Sequence, residues 1–300
     1  IGARVLRFLW ENGVNIVGVV SRPDRPQGRH QHLQPTAVKL EVLSLSSTLP
    51  LYQPEQVSSI ESVELLKTLQ ADLFVVVAFG EIVKQNLLDL PTKGCLNLHT
   101  SLLPKYRGAA PIQRCIMAGD VQSGITIMQM VRKMDAGQMY ERVSVPVSAD
   151  MTFGELEEEL TLVGQEALLR VIRKFTQGPV LGEAQDESFV SFSPKVELEE
   201  CEIDWKRPAK ELHNLIRGVN PYPGAWCYGW LKGEKKRIKI HRTKEVPLEA
   251  APASQPYSDR LWIACGSGGL ELLELQLEGK NRLSGPEWLR GFTHISFRCE

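Results

Sequence analysis

The sequence predicts an α/β domain built on a mainly parallel sheet, followed by a smaller β-rich domain. Three observations predict it. Short β-branched runs alternate with amphipathic stretches over the first 180 residues or so. The run ADLFVVVAFG, residues 71–80, has a core that is apolar on both faces, as a central parallel strand requires. Beyond Trp205 the alternation stops, and short strands with basic and glycine interruptions take over.

Each element follows from local pattern. In IGARVLRFLWENG the apolar Val5, Leu6, Phe8, Leu9 and Trp10 fall at helical spacing, and Gly13 ends the run. NIVGVVS (15–21) reads as a buried strand. RPDRPQGRHQHLQP (22–35) carries too much proline and charge for regular structure and reads as a polar loop. A helix (36–47), a short strand (50–54) and a second helix (62–70) lead into the 71–80 strand. EIVKQNLLDL, the strand GCLNLHTS (94–101), the loop LLPKYRG, a helix from about Ala110 to Ala118, and strands at 124–130 and 138–147 follow. MTFGELEEELTLVGQEALLRVIRKF is a long amphipathic helix, capped by Thr152 with Glu155 three residues on.

From about residue 180 the chain is irregular and polar. A helix (AKELHNLIRG), the turn NPYPG and the strands AWCYGWL, RIKIHRT, LWIACGSG and GLELLELQL then make a small domain, an expected OB-like barrel. The expected boundaries are 1–185 for the first domain, 186–206 for a linker and 207–300 for the second. Because an α/β domain ordinarily starts on a strand, a strand and its turn are expected ahead of the first helix.

Composition narrows the function classes. Apolar residues make up 43%, charged residues 24%, and net charge is −1, so whole-chain charge does not argue for a nucleic-acid partner. The six cysteines form no CxxC pair or zinc framework and read as scattered thiols of a reducing compartment. With no transmembrane-length apolar run and no signal-peptide pattern, a cytoplasmic protein is expected, with no membrane contact and no metal.

The densest chemistry lies in GCLNLHTSLLPKYRGAAPIQ. Asn97 and His99 are two apart, so on a strand they share a face while Leu96 and Leu98 take the other. Polar groups at the carboxyl end of a strand fit the position of ligand sites in open α/β sheets. Arg107 is available for an anion or a buried ion pair. In KMDAGQM, Asp135 reads on spacing alone as an Asx-turn residue. RPDRPQGR, with three arginines and two prolines, reads equally as a solvated connector or a phosphate-contacting loop. The basic stretch Lys232, Lys235, Lys236, Arg237, Lys239, Arg242 and Lys244 reads as a solvated barrel face or a face for a nucleic-acid backbone.

Along nearly its whole length the chain resembles the methionyl-tRNA formyltransferases, within the folate-dependent formyltransferases. RPDRPQGR, VVVAFGEIV, NLHTSLLPKYRGAAPIQ, GITIMQM, MDAGQM, IDW and NPYPGAW carry the resemblance. It implies catalytic roles for Asn97, His99 and Asp135. It implies folate contacts at Phe79, Gly80, Ser101, Leu102, Leu103 and Pro104. It places an acceptor-end loop at Pro23–His32, with tRNA contacts at Arg25 and Arg29 there and at Lys235, Lys236, Arg237 and Lys239 in the second domain. After Arg29 this chain reads HQH where the family usually has lysines.

The implied reaction moves the formyl group of 10-formyltetrahydrofolate to the amine of methionyl-tRNA, with a monomer expected. Two other readings share these residues: a formyltransferase for a small amine, and an RNA-binding family member without activity. A Rossmann dinucleotide enzyme would need a GxGxxG, and the sequence contains none.

Overall fold

The computed structural model describes residues 1–27, 32–231, 233–248, 260–292 and 295–297. They form two units. The first comprises Ile1–Ala109, Gly124–Val145 and Glu158–Phe192, and the second Ala110–Ser123, Pro146–Glu157 and Ser193–Glu300.

In the first unit β1 (Val19–Val20) pairs in parallel with β2 (Leu51–Tyr52). A four-stranded sheet runs β3 (Phe74–Val77), β4 (Cys95–His99), β5 (Gln122–Gln129), β6 (Met139–Pro146). The register sets Val76 and Met128 on either side of Asn97, and Thr126 opposite His99. Helices Ala37–Leu45 and Ile60–Lys67 begin where the side chains of Thr36 and Ser59 accept the N–H of Lys39 and Ser62. The long helix spans Phe153–Gln177. The Thr152–Glu155 capping box is present, with the Thr152 N–H donating to Glu155 Oε2 at 2.8 Å and the Glu155 N–H to Thr152 Oγ1 at 3.3 Å.

β3 and β4 are parallel, as the sequence predicts, and β4 and β5 are antiparallel, so the sheet is mixed. Helix Pro111–Ala118 packs on helix Ala209–Gly218. One expectation is corrected: residues 22–35 are not all loop. Arg25–Gln27 and His32–Gln34 pair as an antiparallel ribbon, Pro26 opposite Leu33. A two-stranded ribbon tolerates a proline because its outer edge needs no donor.

β1 and β3 are not hydrogen-bonded to each other. An apolar cavity of about 660 Å³ lies beside both, lined by Val5, Leu9, Val19, Leu69, Val75 and Phe175 among others.

The second unit holds a curled antiparallel sheet of β7 (Ala225–Leu231), β8 (Glu234–Val246), β9 (Trp262–Ala264), β10 (Gly269–Leu277), β11 (Arg282–Ser284) and β12 (Ile295–Phe297). The order is β9–β10–β8–β7–β12, with β11 also on β10. β9 and β12 do not pair, so among the described residues the expected barrel takes a half-barrel form. Register shifts between Ile240 and Thr243 bend β8. Inside the curl lie Trp205, Trp288, Ile238, Ile240 and Leu275.

The five described cysteines are buried and in no disulfide. Burial, then the Asp89 charge, pushes the Cys95 thiol up to about 12. Burial, then Glu200, pushes Cys201 to about 11. Both thiols stay protonated at pH 8, so a thiolate-directed alkylating reagent should leave them unlabelled in the native protein and label them in denaturant. Mass-spectrometric mapping of the two states checks this, and rapid native labelling of Cys95 contradicts it. No helix among the described residues is long and apolar enough to cross a membrane.

Candidate active site

β4 positions the first two candidate side chains. Leu96 and Leu98 are buried on one side, at 1% and 4% exposure, which fixes Asn97 and His99 to the other. Asn97 is half-buried, and its amide makes no hydrogen bond with the described residues. His99 is buried, and its Nε2 lies 2.9 Å from the Tyr106 carbonyl oxygen. A carbonyl only accepts, so Nε2 carries the proton and donates it. Nδ1 is left facing Asp135, 3.7 Å from Oδ2. That separation is too long for a hydrogen bond.

Asp135 sits in the turn between β5 and β6 with a φ of +46°, in the left-handed region. Aspartate visits that region more readily than most residues. Its Oδ2 accepts the Gly108 N–H at 2.9 Å. The turn is therefore not an Asx-turn closed on its own backbone; the carboxylate reaches a segment 27 residues away. So Asn97 and His99 share one strand face, and Asp135 joins His99 through space.

Segment 106–108 thus serves both partners, through the Tyr106 carbonyl and the Gly108 N–H. It is itself held by residues 185–191. The Arg107 and Tyr106 N–H groups donate to the Ser191 carbonyl and Oγ, each at 2.9 Å. Arg107, 1% exposed, donates from Nε and Nη2 to Gln185 Oε1 and from Nη2 to Glu187 Oε1. Of the two options open from sequence Arg107 takes the ion pair, buried at the guanidinium and exposed at Glu187. The Arg107 guanidinium, then the Lys133 ammonium, holds the Glu187 carboxyl down at about 2.

The chain has the signature of one family in both halves. Residues 4–172 match the formyl transferase family, and residues 195–293 match the formyl transferase C-terminal domain. The chain belongs to the formyl transferase family. A methionyl-tRNA formyltransferase of Protochlamydia amoebophila is 53% identical over 294 residues, covering 97% of this chain and 92% of the relative. Relatives of the same name from Chlamydia abortus and Pseudomonas entomophila are 43% and 42% identical, over 96% and 94% of this chain and 91% and 90% of their own lengths. Among solved structures, WlaRD, a sugar 3N-formyl transferase, is similar with a TM-score of 0.66 at 16% identity, covering 93% of this chain and 94% of that one. HypX from Aquifex aeolicus, solved with tetrahydrofolic acid, has a TM-score of 0.58 at 19% identity over 76% of this chain and 40% of its own. At such identities these two speak for the fold.

Within this formyl transferase fold the other sequence-derived positions scatter more. Ser101 is buried, and its Oγ donates to the Lys105 carbonyl at 2.6 Å. The Leu103 N–H donates to Thr126 Oγ1, and the side chain packs with Met128 and Met139. Leu102 and Pro104 are half-buried beside it. Phe79 packs against Val57, Leu66 and Leu87, while Gly80 is exposed. Arg25 is ion-paired with Glu55 at 2.5 Å, and Arg29 lies outside the described residues.

On the half-barrel, cross-strand pairing puts Arg237 opposite Tyr228, Lys235 opposite Trp230 and Lys239 opposite Trp226 on one face. Arg237 lies over the Trp226 ring at 4.0 Å and Lys235 over Tyr228 at 4.3 Å. Lys236 falls on the other face, paired with Glu234 at 2.6 Å. Sequence reasoning missed Tyr106, Gly108 and Gln185. The first two act through backbone groups, which residue type does not advertise, and Gln185 lies in an irregular stretch.

Proposed function

We propose that the chain transfers the formyl group of 10-formyltetrahydrofolate to the α-amine of methionyl-tRNA. The observation that carries this reading is the pair of half-buried Asp135 and buried His99, the latter on the same strand as an Asn97 amide that makes no hydrogen bond with the described residues. An amide with no partner among the described residues fits a donor that presents a carbonyl oxygen. The names carried by relatives at 42–53% identity support the choice of acceptor.

The donor, when bound, supplies an activated formyl carbon whose bond to the folate nitrogen can break. The residues of this chain do the rest. Asn97 donates its amide N–H to the formyl oxygen as negative charge builds there during amine attack. His99 takes the amine proton on Nδ1, since Nε2 is already committed to Tyr106. Asp135 stabilises the imidazolium so formed. As the carbon–nitrogen bond to the acceptor closes and the bond to folate opens, the same Nδ1 returns the proton to the leaving nitrogen. Ser101–Pro104, Phe79 and Gly80 line the donor's place in this reading. Arg25, Arg29 and the Lys235–Arg237–Lys239 face hold RNA phosphates, with the rings of Trp226 and Tyr228 keeping the cations in position. Residues 1–185 carry the chemistry and 207–300 bind the RNA, in a cytoplasmic monomer.

The test is formyl transfer from 10-formyltetrahydrofolate to a panel of acceptors: methionyl-tRNA, free methionine and a nucleotide-linked amino sugar. Methionyl-tRNA should react at least about 10³-fold faster in kcat/KM, with the advantage shrinking as salt rises. Preference for the sugar amine, or no transfer to any acceptor, rejects the proposal.

A further inference from the structure

We propose that Gln185 is a positioning residue that fixes Asp135 against His99; this rests on the reading of that pair given above. Gln185 ties the 135–137 turn to the Arg107 guanidinium of segment 106–108. Its Nε2 donates to the carbonyls of Asp135 and Gly137, both at 2.8 Å. Its Oε1 accepts Arg107 Nε at 3.1 Å and Nη2 at 2.8 Å. Carbonyls cannot donate and a guanidinium cannot accept, so the orientation of the amide is fixed by its partners.

The consequence is geometric. The Asp135 backbone is held in a region that non-glycine residues avoid, at φ +46°. Two contacts hold it there: Gly108 on the carboxylate and Gln185 on the carbonyl. Gly108 neighbours Arg107, which Gln185 also holds. Arg107 is buried, its Nη1 has no partner among the described residues, and its side-chain hydrogen bonds there go to Gln185 and Glu187. Loss of the amide therefore frees the 135–137 turn and loosens segment 106–108 together. The Nδ1–Oδ2 separation is already 3.7 Å, so a further drift removes the carboxylate from effective reach.

Two variants separate positioning from folding. Gln185→Ala loses both ends of the link. Gln185→Glu keeps the pairing with Arg107 but turns a carboxylate oxygen on the two carbonyls. Both should lose about 20- to 100-fold in kcat, with donor KM within about threefold of the parent, as expected for misplacement of a catalytic pair. The melting temperature should fall for Gln185→Ala and stay near the parent for Gln185→Glu. A merely structural residue would instead show kcat restored along with stability in Gln185→Glu. Single-turnover rates with Asp135→Asn as background supply a second readout: Gln185→Ala should cost less than about twofold there. Parental kcat in both single variants, or equal losses in both backgrounds, overturns the inference. Parental transfer by Asp135→Asn itself overturns the reading of the pair, which is a distinct result.

Discussion

Asn97→Ala is expected to lower kcat for formyl transfer by about 10²–10³-fold, the loss seen when a single hydrogen-bond donor to a developing oxyanion is removed. It should leave the melting temperature within about 1 °C of the parent. The two halves of this expectation come from the same observation. The Asn97 amide makes no hydrogen bond with the described residues, so truncation breaks nothing in the folded chain. The strand is fixed by its neighbours Leu96 and Leu98, which are buried on the opposite face. In the proposed reaction the amide contributes only as charge develops on the formyl oxygen, so the loss should fall on kcat and leave donor KM within a few-fold. Rapid-quench single turnovers beside thermal melts make the measurement. A rise in KM with kcat unchanged would mean that Asn97 binds ground-state donor and nothing more.

The contrast between Asn97 and Asp135 explains how much of the site was legible in the sequence. Asn97 and His99 share a strand, so a period of two places them on one face without any structure. Asp135 meets His99 only because β5 and β6 bring a turn back beside β4, and its anchoring partner is the N–H of Gly108. A backbone donor has no residue type to recognise. Gln185 is more hidden still: it lies 50 residues from the carbonyl it holds, in a stretch whose composition is that of a linker.

The fold divides the same way. Strand and helix positions followed from hydrophobic period, and AKELHNLIRG, AWCYGWL and GLELLELQL fall on observed elements residue for residue. Strand direction did not follow. A strand buried on both faces has the same pattern whether its neighbour runs parallel or antiparallel, so the reversal at β4 and β5 had no local signature. The ribbon of Arg25–Gln27 and His32–Gln34 was hidden by Pro26, which an isolated edge accommodates.

Gly137→Ala should cost more than its size suggests, because the glycine lies where two parts of the site meet. A methyl group at residue 137 would sit 1.9 Å from the Gln129 carbonyl oxygen and 2.9 Å from its carbon. Neither is the end of a flexible side chain, so backbone must move. If residue 129 yields, the Leu96–Gln129 pairing shifts next to Asn97. If residue 137 yields, Gln185 loses its hold on the Gly137 carbonyl and Asp135 moves with the turn. Both routes displace a group of the proposed site, and a displacement near 1 Å is enough for about a 10²-fold loss in rate.

Overpacking alone costs about 1–3 kcal/mol, so the variant should still fold while its melting temperature drops by several degrees. Stability and rate can be separated with Gly266→Ala in the second unit, where the added methyl would lie 1.8 Å from the Lys206 carbonyl oxygen. The strain is similar, but no group of the His99–Asp135 pair lies in that unit. At saturating substrates and a temperature below both melting transitions, Gly266→Ala should keep kcat within about threefold while Gly137→Ala loses it. Equal losses in both variants would mean that global loosening, not displacement of the 135–137 turn, lowers the rate. The DAGQ sequence would then owe its glycine to packing alone.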